Sequence, residues 1–362
     1  MKITMLGHKQ VPSRSGGVEV AATELSVRLA AMGHDVTCYN RGGRSGVHRN
    51  VRLLAIPSPG GKGIGAVTSG FLAAVCAALS NAEVVHIHAE GPAFFCGIPK
   101  LFGKRVAVTV HGLDWQREKW KGSFGSRFIY AGEAMAVRFA DDIIVLSRNV
   151  RDYFRDTYGR ETVYIPNGIC LPEGAEASFC TRLGLERDGF LLFLGRLVPE
   201  KGIHYLLEAF HTVKTGKKLV IAGASSDTDA YVSRLREMAK GDPRVIFTGA
   251  VEGKHLRELY RKAWVYVLPS ELEGMPLTLL EALHCGCCCL VSDIPECTEV
   301  TGNCAVMVPK GNVPALAEAL QRLCDDPALV ARYREKARER ALPDWETVTE
   351  MTLKVYEGGN PG

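Results

Sequence analysis

Short apolar runs recur along the chain, and stretches with apolar residues at helical spacing separate them. In the first half, Lys2–Leu6, Val36–Tyr39, Val51–Ile56, Ala82–His88, Arg105–Val110, Asp141–Leu146 and Glu161–Ile165 read as strands. Val20–Met32 and Ala66–Leu79 read as helices between them, and Ser147 caps another, basic one. In the second half the strand pattern falls on Phe190–Leu194, Leu219–Gly223, Val245–Gly249, Ala263–Leu268, Cys287–Val291 and Ala305–Val308. Pro276 suits a first helical position, and helical spacing returns over Val313–Leu323, Pro327–Ala341 and from Asp344 to Tyr356. Nearly continuous apolar strands alternating with helices predict parallel sheets buried on both faces. The rhythm breaks over Cys170–Asp188, which reads as a linker. The expected organisation is therefore two α/β domains, 1–170 and 171–343, followed by a C-terminal segment, 344–362.

Composition narrows the class. A chain of 362 residues is comfortable for two domains. With 46% hydrophobic and 23% charged residues it reads as a packed globular protein. A net charge of +4 is too mild to argue for nucleic acid. Met1–Leu6 is a strand pattern, not a signal peptide, and no apolar run is long enough to span a bilayer. Twelve cysteines without an export signal predict reduced thiols in the cytoplasm.

Candidate chemistry collects where strands run into loops, the edge at which open α/β sheets bind ligands. In Ser270–Glu281, Glu273 lies on a loop and Glu281 on the following helix, seven residues apart in the sense of intervening positions. That spacing can aim both carboxylates at one crevice. Gly274 lets backbone approach a ligand, and the amides of Gly274, Met275, Leu277 and Thr278 with the helix dipole suit a phosphate. In Gly195–Gly202 a strand enters a helix with Arg196 and Lys201 five residues apart, a fork and a point charge for phosphate oxygens. Gly16 and Gly17 close the first loop. Such a pair lets backbone approach a phosphate or sugar and equally serves a plain helix start. The loop lacks Gly-x-Gly-x-x-Gly, which argues against a dinucleotide dehydrogenase. His111 ends a strand at the ligand edge, followed by Asp114 and Trp115. His86 and His88 share one strand face and read as core or cleft packing. Asp141 and Asp142 head a strand and read as structural, and Asp227–Asp229 reads as an acidic helix cap. Cys285 and Cys287–Cys289 cannot all reach one ion from a strand, so buried thiols are expected and no metal.

Glu-Gly-Met-Pro-Leu within Glu-x7-Glu, together with Gly-Arg-Leu-x-x-Glu-Lys-Gly, resembles the signatures of the retaining GT-B glycosyltransferases of family 4 type. Pro166-Asn167-Gly168 resembles the close of the family's first domain, and Trp345 its C-terminal segment crossing back to that domain. The resemblance implies two Rossmann-like domains facing each other across a cleft. The N-terminal one takes the acceptor and the C-terminal one a nucleoside diphosphate sugar, UDP or GDP. By the same resemblance, Arg196 and Lys201 neutralise the donor diphosphate and Gly16 and Gly17 face it. Val251 lies by the base, Glu281 takes the ribose, and Glu273 and His111 contact the transferred sugar. Gly274, Met275, Pro276 and Leu277 complete the donor loop. Asp114 and Trp115 are expected on the acceptor side. No cofactor is implied beyond the sugar nucleotide, which is substrate.

Cations and aromatics interleave in Arg117–Arg127, at Arg117, Lys119, Trp120, Lys121, Phe124 and Arg127. The stretch suits a solvated face, or contact with an anionic inner-membrane surface and a lipid-linked or surface-polysaccharide acceptor. A sugar-nucleotide epimerase, a sugar phosphorylase and a non-catalytic glycan-binding or membrane-surface protein are the other readings of the same scaffold.

Overall fold

The computed structural model describes residues 1–59, 62–117, 124–169, 171 and 179–359, with the side chains of Lys62 and Phe124 also outside the description. The chain divides into two compact units, Met1–Gly168 with Pro343–Gly362, and Ile169–Leu342.

In the first unit the strands are β1 (Lys2–Leu6), β2 (Asp35–Arg41), β3 (Gly46–His48), β4 (Val51–Ile56), β5 (Val84–His88), β6 (Arg105–Val110), β7 (Asp142–Val145) and β8 (Val163–Tyr164). They form one sheet in the order β3-β4-β2-β1-β5-β6-β7-β8. Every pairing is parallel except β3 with β4. All of β5 is buried, as strands covered by helices on both faces must be. β3 is short and largely exposed, so no apolar pattern announces it.

The second unit holds β9 (Phe190–Leu194), β10 (Lys218–Ala222), β11 (Val245–Gly249), β12 (Val265–Leu268), β13 (Cys289–Ser292) and β14 (Ala305–Val308). Their order is β11-β10-β9-β12-β13-β14, all parallel. Both units are therefore parallel-sheet α/β domains.

Several local expectations are corrected. Residues 170–188 are not uniformly irregular, because a short helix, Phe179–Arg182, lies within them. Its first amides, Phe179 and Cys180, donate to the Glu258 carboxylate at 3.1 and 3.2 Å. A cap supplied from that far along the chain leaves no local signal. At 227–229 the N-cap position is Thr228, not an aspartate, and its hydroxyl donates to the Leu197 carbonyl at 2.6 Å. Pro276 is the N-cap residue, and the helix proper is Leu277–His284. The helix Lys254–Lys262 escapes the apolar pattern because it is mostly charged.

Cys287, Cys288 and Cys289 are buried, and the Cys287 thiol donates to the Tyr260 carbonyl at 3.1 Å. Burial pushes the Cys288 thiol up to about 12, so it packs as a small neutral group. Asp141 and Asp142 pair with Lys100 and Arg105. Gly168 lies against the start of the C-terminal helix Trp345–Tyr356, where a Cβ would sit 2.6 Å from the Trp345 amide nitrogen. That close approach is a physical reason for glycine after Pro166-Asn167.

Gly202 is held at φ +66°, and a Cβ there would meet the Pro269 carbonyl oxygen at 2.1 Å. Gly202→Ala is expected to cost at least ~1–3 kcal/mol, read as a lowered Tm. Gly216→Ala, with nothing within 4 Å of the added carbon, serves as the neutral control. Equal melting of the two variants would contradict the packing described.

Candidate functional site

Each sheet reverses its strand order at one point. In the second unit the chain passes from β9 outward through β10 and β11, then returns to the other side of β9 with β12. The loops leaving the carboxyl ends of β9 and β12 therefore flank a switch point, where open α/β sheets leave a crevice. The first of those loops is 195–202 and the second is 269–276, so the two motif segments are neighbours.

Side chains tie the two loops together. The Lys201 ammonium donates to both oxygens of Glu273, at 2.6 and 2.8 Å. The two side chains are only 11% and 7% exposed. Ser270 adds a hydroxyl donor to Glu273 at 2.6 Å, and the Glu271 amide donates to the Glu200 carbonyl at 2.8 Å. A near-buried ion pair with its hydrogen bonds satisfied fixes both partners. Arg196 is half-buried at the head of the first loop. Gly274 and Pro276 are buried in the second, Met275 is half-buried, and Leu277 is the first residue of the eight-residue helix. Glu281 is buried on that helix, and the Tyr260 hydroxyl donates to it at 3.0 Å. Tyr266 donates to the Thr278 hydroxyl at 2.8 Å. Val251 follows the carboxyl end of β11, two strands from β9, or roughly 10 Å at ordinary strand spacing.

The first unit has its own switch point, between β1 and β5. The loop after β1 ends at Gly16 and Gly17, the N-cap and first residue of the helix Gly17–Ala31. Buried Glu19 accepts from the Lys9 amide at 3.1 Å and so orders that loop. His111 follows β6 and is buried, with its Nε2 3.1 Å from Nδ1 of His88. His88 also packs near His8, their ring centroids 6.3 Å apart. His8 is 3.2 Å from Asn40 Oδ1. His86 contacts the Thr109 hydroxyl at 2.7 Å and the Tyr356 hydroxyl at 2.6 Å, which ties the C-terminal helix to β5.

Asp114 and Trp115 lie over two buried carboxylates that the sequence reading passes over. Glu90 accepts from the Asp114 amide at 2.8 Å. Glu133 accepts from the Trp115 indole at 3.2 Å and from the hydroxyls of Tyr153 and Tyr158 at 2.7 and 2.6 Å. Burial raises the Glu90 carboxyl well above its ordinary range, and Asp114 and Glu133 reinforce the effect. A lone glutamate in a helical pattern normally reads as solvated, so only the three-dimensional packing shows this pair. Arg117 pairs with Asp114 at 2.7 Å. Lys119, Trp120 and Lys121 lie outside the described residues. No group of metal-ligating side chains and no helix long and apolar enough to cross a membrane occurs among the described residues.

Known proteins resemble the chain on both halves. The profile of the family described as Glycosyltransferase Family 4 matches residues 15–171. That of Glycosyl transferases group 1 matches residues 182–340. A glycogen synthase of Mycobacterium tuberculosis is 28% identical over all of this chain and 96% of its own length. An alpha-maltose-1-phosphate synthase of Mycolicibacterium smegmatis is 27% identical over 98% of this chain and 99% of its own. The structure of Anabaena Alr3699/HepE in complex with UDP and glucose superposes with a TM-score of 0.83 at 17% identity, over 99% of this chain and all of that one.

Two predictions follow from the electrostatics. Lys201→Met and Glu273→Gln, taken singly, each strand a near-buried charge or leave it under-paired and are expected to cost ~3–5 kcal/mol in urea unfolding. The double variant is expected to cost clearly less than the sum, and additive losses would show that the pair is not coupled.

The imidazoles give a pH dependence. Burial holds His8 and His111 at about 4 and His86 at about 3, with His88 well below its ordinary value. Folded values depressed below about 6.5 mean stability that is present above that pH and lost as pH falls towards them. Glu90 works the other way, its contribution being lost as pH rises from about 4.3, but four imidazoles oppose one carboxyl. Hydrogen-exchange protection of β1 and β5 is expected to fall between about pH 6.5 and 5, by up to ~1.4 kcal/mol per pH unit per imidazole. A flat profile would mean that the histidines are not buried in neutral form.

Proposed function

The chain belongs to the GT-B glycosyltransferases of family 4 type, and on that premise we propose that it moves a sugar from a nucleoside diphosphate sugar, UDP or GDP, to an acceptor hydroxyl with the anomeric configuration retained. One observation carries the reading: a guanidinium loop, a paired ammonium and a helix start meet at one switch point of the second sheet. Anabaena Alr3699/HepE, solved with UDP and glucose, supports a UDP-sugar as the first donor to try.

In the proposed reaction the acceptor oxygen bonds to the anomeric carbon while its bond to the diphosphate oxygen breaks. The acceptor's proton passes to that departing oxygen on the same face. Negative charge grows on the diphosphate, and Arg196, Lys201 and the amides at Gly274, Met275 and Leu277 stabilise it. Fixed cations supply this charge, so the proposal includes no metal. Pro276 sets the helix start. Glu273 orients Lys201 and accepts from sugar hydroxyls. Glu281, oriented by Tyr260, accepts from the ribose diol, and Val251 offers backbone to the base. Gly16 and Gly17 give the donor diphosphate a close backbone, and His111, held by His88 as a neutral imidazole, contacts the transferred sugar.

The acceptor we propose is a glycan, lipid-linked or of a surface polysaccharide, with Asp114 and Trp115 in its path. The names of the curated relatives, one of them a glycogen synthase, support a saccharide acceptor. The basic, aromatic stretch 117–127 supports work in the cytoplasm at the inner membrane face.

A thermal-shift panel of UDP- and GDP-sugars identifies the donor, and turnover is then measured with wild type and variants. Arg196→Ala and Glu281→Ala are each expected to lower kcat/KM by about 10²–10³. Proton NMR of the product should show the donor's anomeric configuration. Inversion would overturn the retaining mechanism, and unchanged turnover in both variants would overturn the site.

A further inference from the structure

The helix Lys254–Lys262 precedes β12, and its last turn lies at the amino edge of the second sheet. The donor-side loops leave the carboxyl edge. The four residues of β12 separate the two edges by roughly 13 Å. At the amino edge a cavity of about 220 Å³ opens between that helix, the turn Cys285–Gly286–Cys287 and the helix Pro327–Glu339.

Seven cationic side chains line this cavity against one carboxylate. Two of the seven are accounted for by protein partners. Lys262 pairs with that carboxylate, Glu258, at 3.0 Å. Arg334 pairs with Asp188 and donates to the carbonyls of Ala263 and Trp264 at 2.9 and 3.2 Å. The other five, Arg187, Lys254, Arg257, Arg261 and Arg338, have no carboxylate partner among the described residues. The helix dipole favours cations in the last turn and so explains Arg261 and Arg338, but not Arg187, Lys254 or Arg257. Lys254, Arg257 and Arg261 stand at three- and four-residue spacing on one helix face, where like charges repel.

The thiols in the cavity wall do not supply the missing anion. Burial pushes Cys285 up to about 12, even though Arg257 and Arg261 pull the other way. Burial also holds Cys287 well above its ordinary value, so both stay neutral. Among the described residues, then, no group supplies a counter-charge to these five cations.

We propose that this cavity is a second anion site, separate from the donor crevice, for a small molecule bearing two or more clustered phosphoryl groups. Several guanidinium forks around one concavity match the geometry of phosphate oxygens better than that of carboxylates spread along a protein surface. A recess of this volume admits a compact ligand, whereas a bilayer presents its headgroups on a flat sheet.

Inorganic tripolyphosphate is the probe, titrated calorimetrically into the full chain. The double variant Arg257→Glu with Arg261→Glu is expected to weaken binding about tenfold or more. Arg257→Gln with Arg261→Gln should weaken it in the same direction, and circular dichroism checks that both fold. Lys214→Glu with Lys240→Glu makes the same change in net charge elsewhere and should leave binding intact. Arg196→Ala should leave this binding class in place. Tripolyphosphate binding that ignores the Arg257 and Arg261 variants, or falls equally in the remote control, overturns the proposal. So does loss, through these arginines, of binding to phosphatidylglycerol vesicles without any saturable tripolyphosphate site.

Discussion

The ion pair between Lys201 and Glu273 is the constraint on which the second domain's crevice depends. It joins the loop after β9 to the loop after β12, two segments that are distant in sequence and adjacent only because the strand order reverses between them. Neither loop could hold a buried charge alone, since an unpaired ammonium or carboxylate at that depth would be costly. Gly202 lets the first loop touch the Pro269 carbonyl, and the amide of Glu271 closes the contact onto Glu200. The pair is thus a structural clasp, and Glu273 stands four residues before the first residue of the helix Leu277–His284. A site built this way is ordered before any ligand arrives, which is what electrostatic stabilisation of a leaving group requires.

The first domain solves a different problem. Its switch point is lined by neutral groups made so by burial. His8, His86, His88 and His111 pack against or hydrogen-bond one another and Tyr356, and the Glu90 carboxyl, raised by burial, accepts from the Asp114 amide. Neutral imidazoles can present a nitrogen to a hydroxyl without the positive charge that would draw an anion. The C-terminal helix belongs to this arrangement, because its Tyr356 is a direct partner of His86. That dependence gives the segment after Leu342 a chemical reason to return to the first unit, beyond packing Trp345.

Charge is distributed unevenly in the second domain. At the carboxyl edge of its sheet the Lys201 ammonium is paired with the Glu273 carboxylate. At the amino edge cations gather around Cys285 and Cys287 with few partners. A chain whose net charge is only +4 hides that contrast, since the average over all residues cancels it.

Much was legible in the residues alone. Buried parallel strands are nearly uninterrupted apolar runs, so β4, β6 and β9 appear at their full bounds, and the two-domain α/β class with its GT-B resemblance follows from their alternation with helices. Motifs with glycine, proline and charge at fixed offsets marked the two loops, because local backbone geometry demands those residue types at those positions. Features whose partners lie far along the chain were not legible. The cap on Phe179–Arg182 comes from Glu258, Glu133 gathers Trp115 with Tyr153 and Tyr158, and Lys201 finds Glu273. Sequence fixes what each residue can do with its neighbours in the chain. Only the strand order and the packing of helices upon it decide which charges share a low-dielectric space, and therefore which of them pair, stay neutral or wait for a ligand.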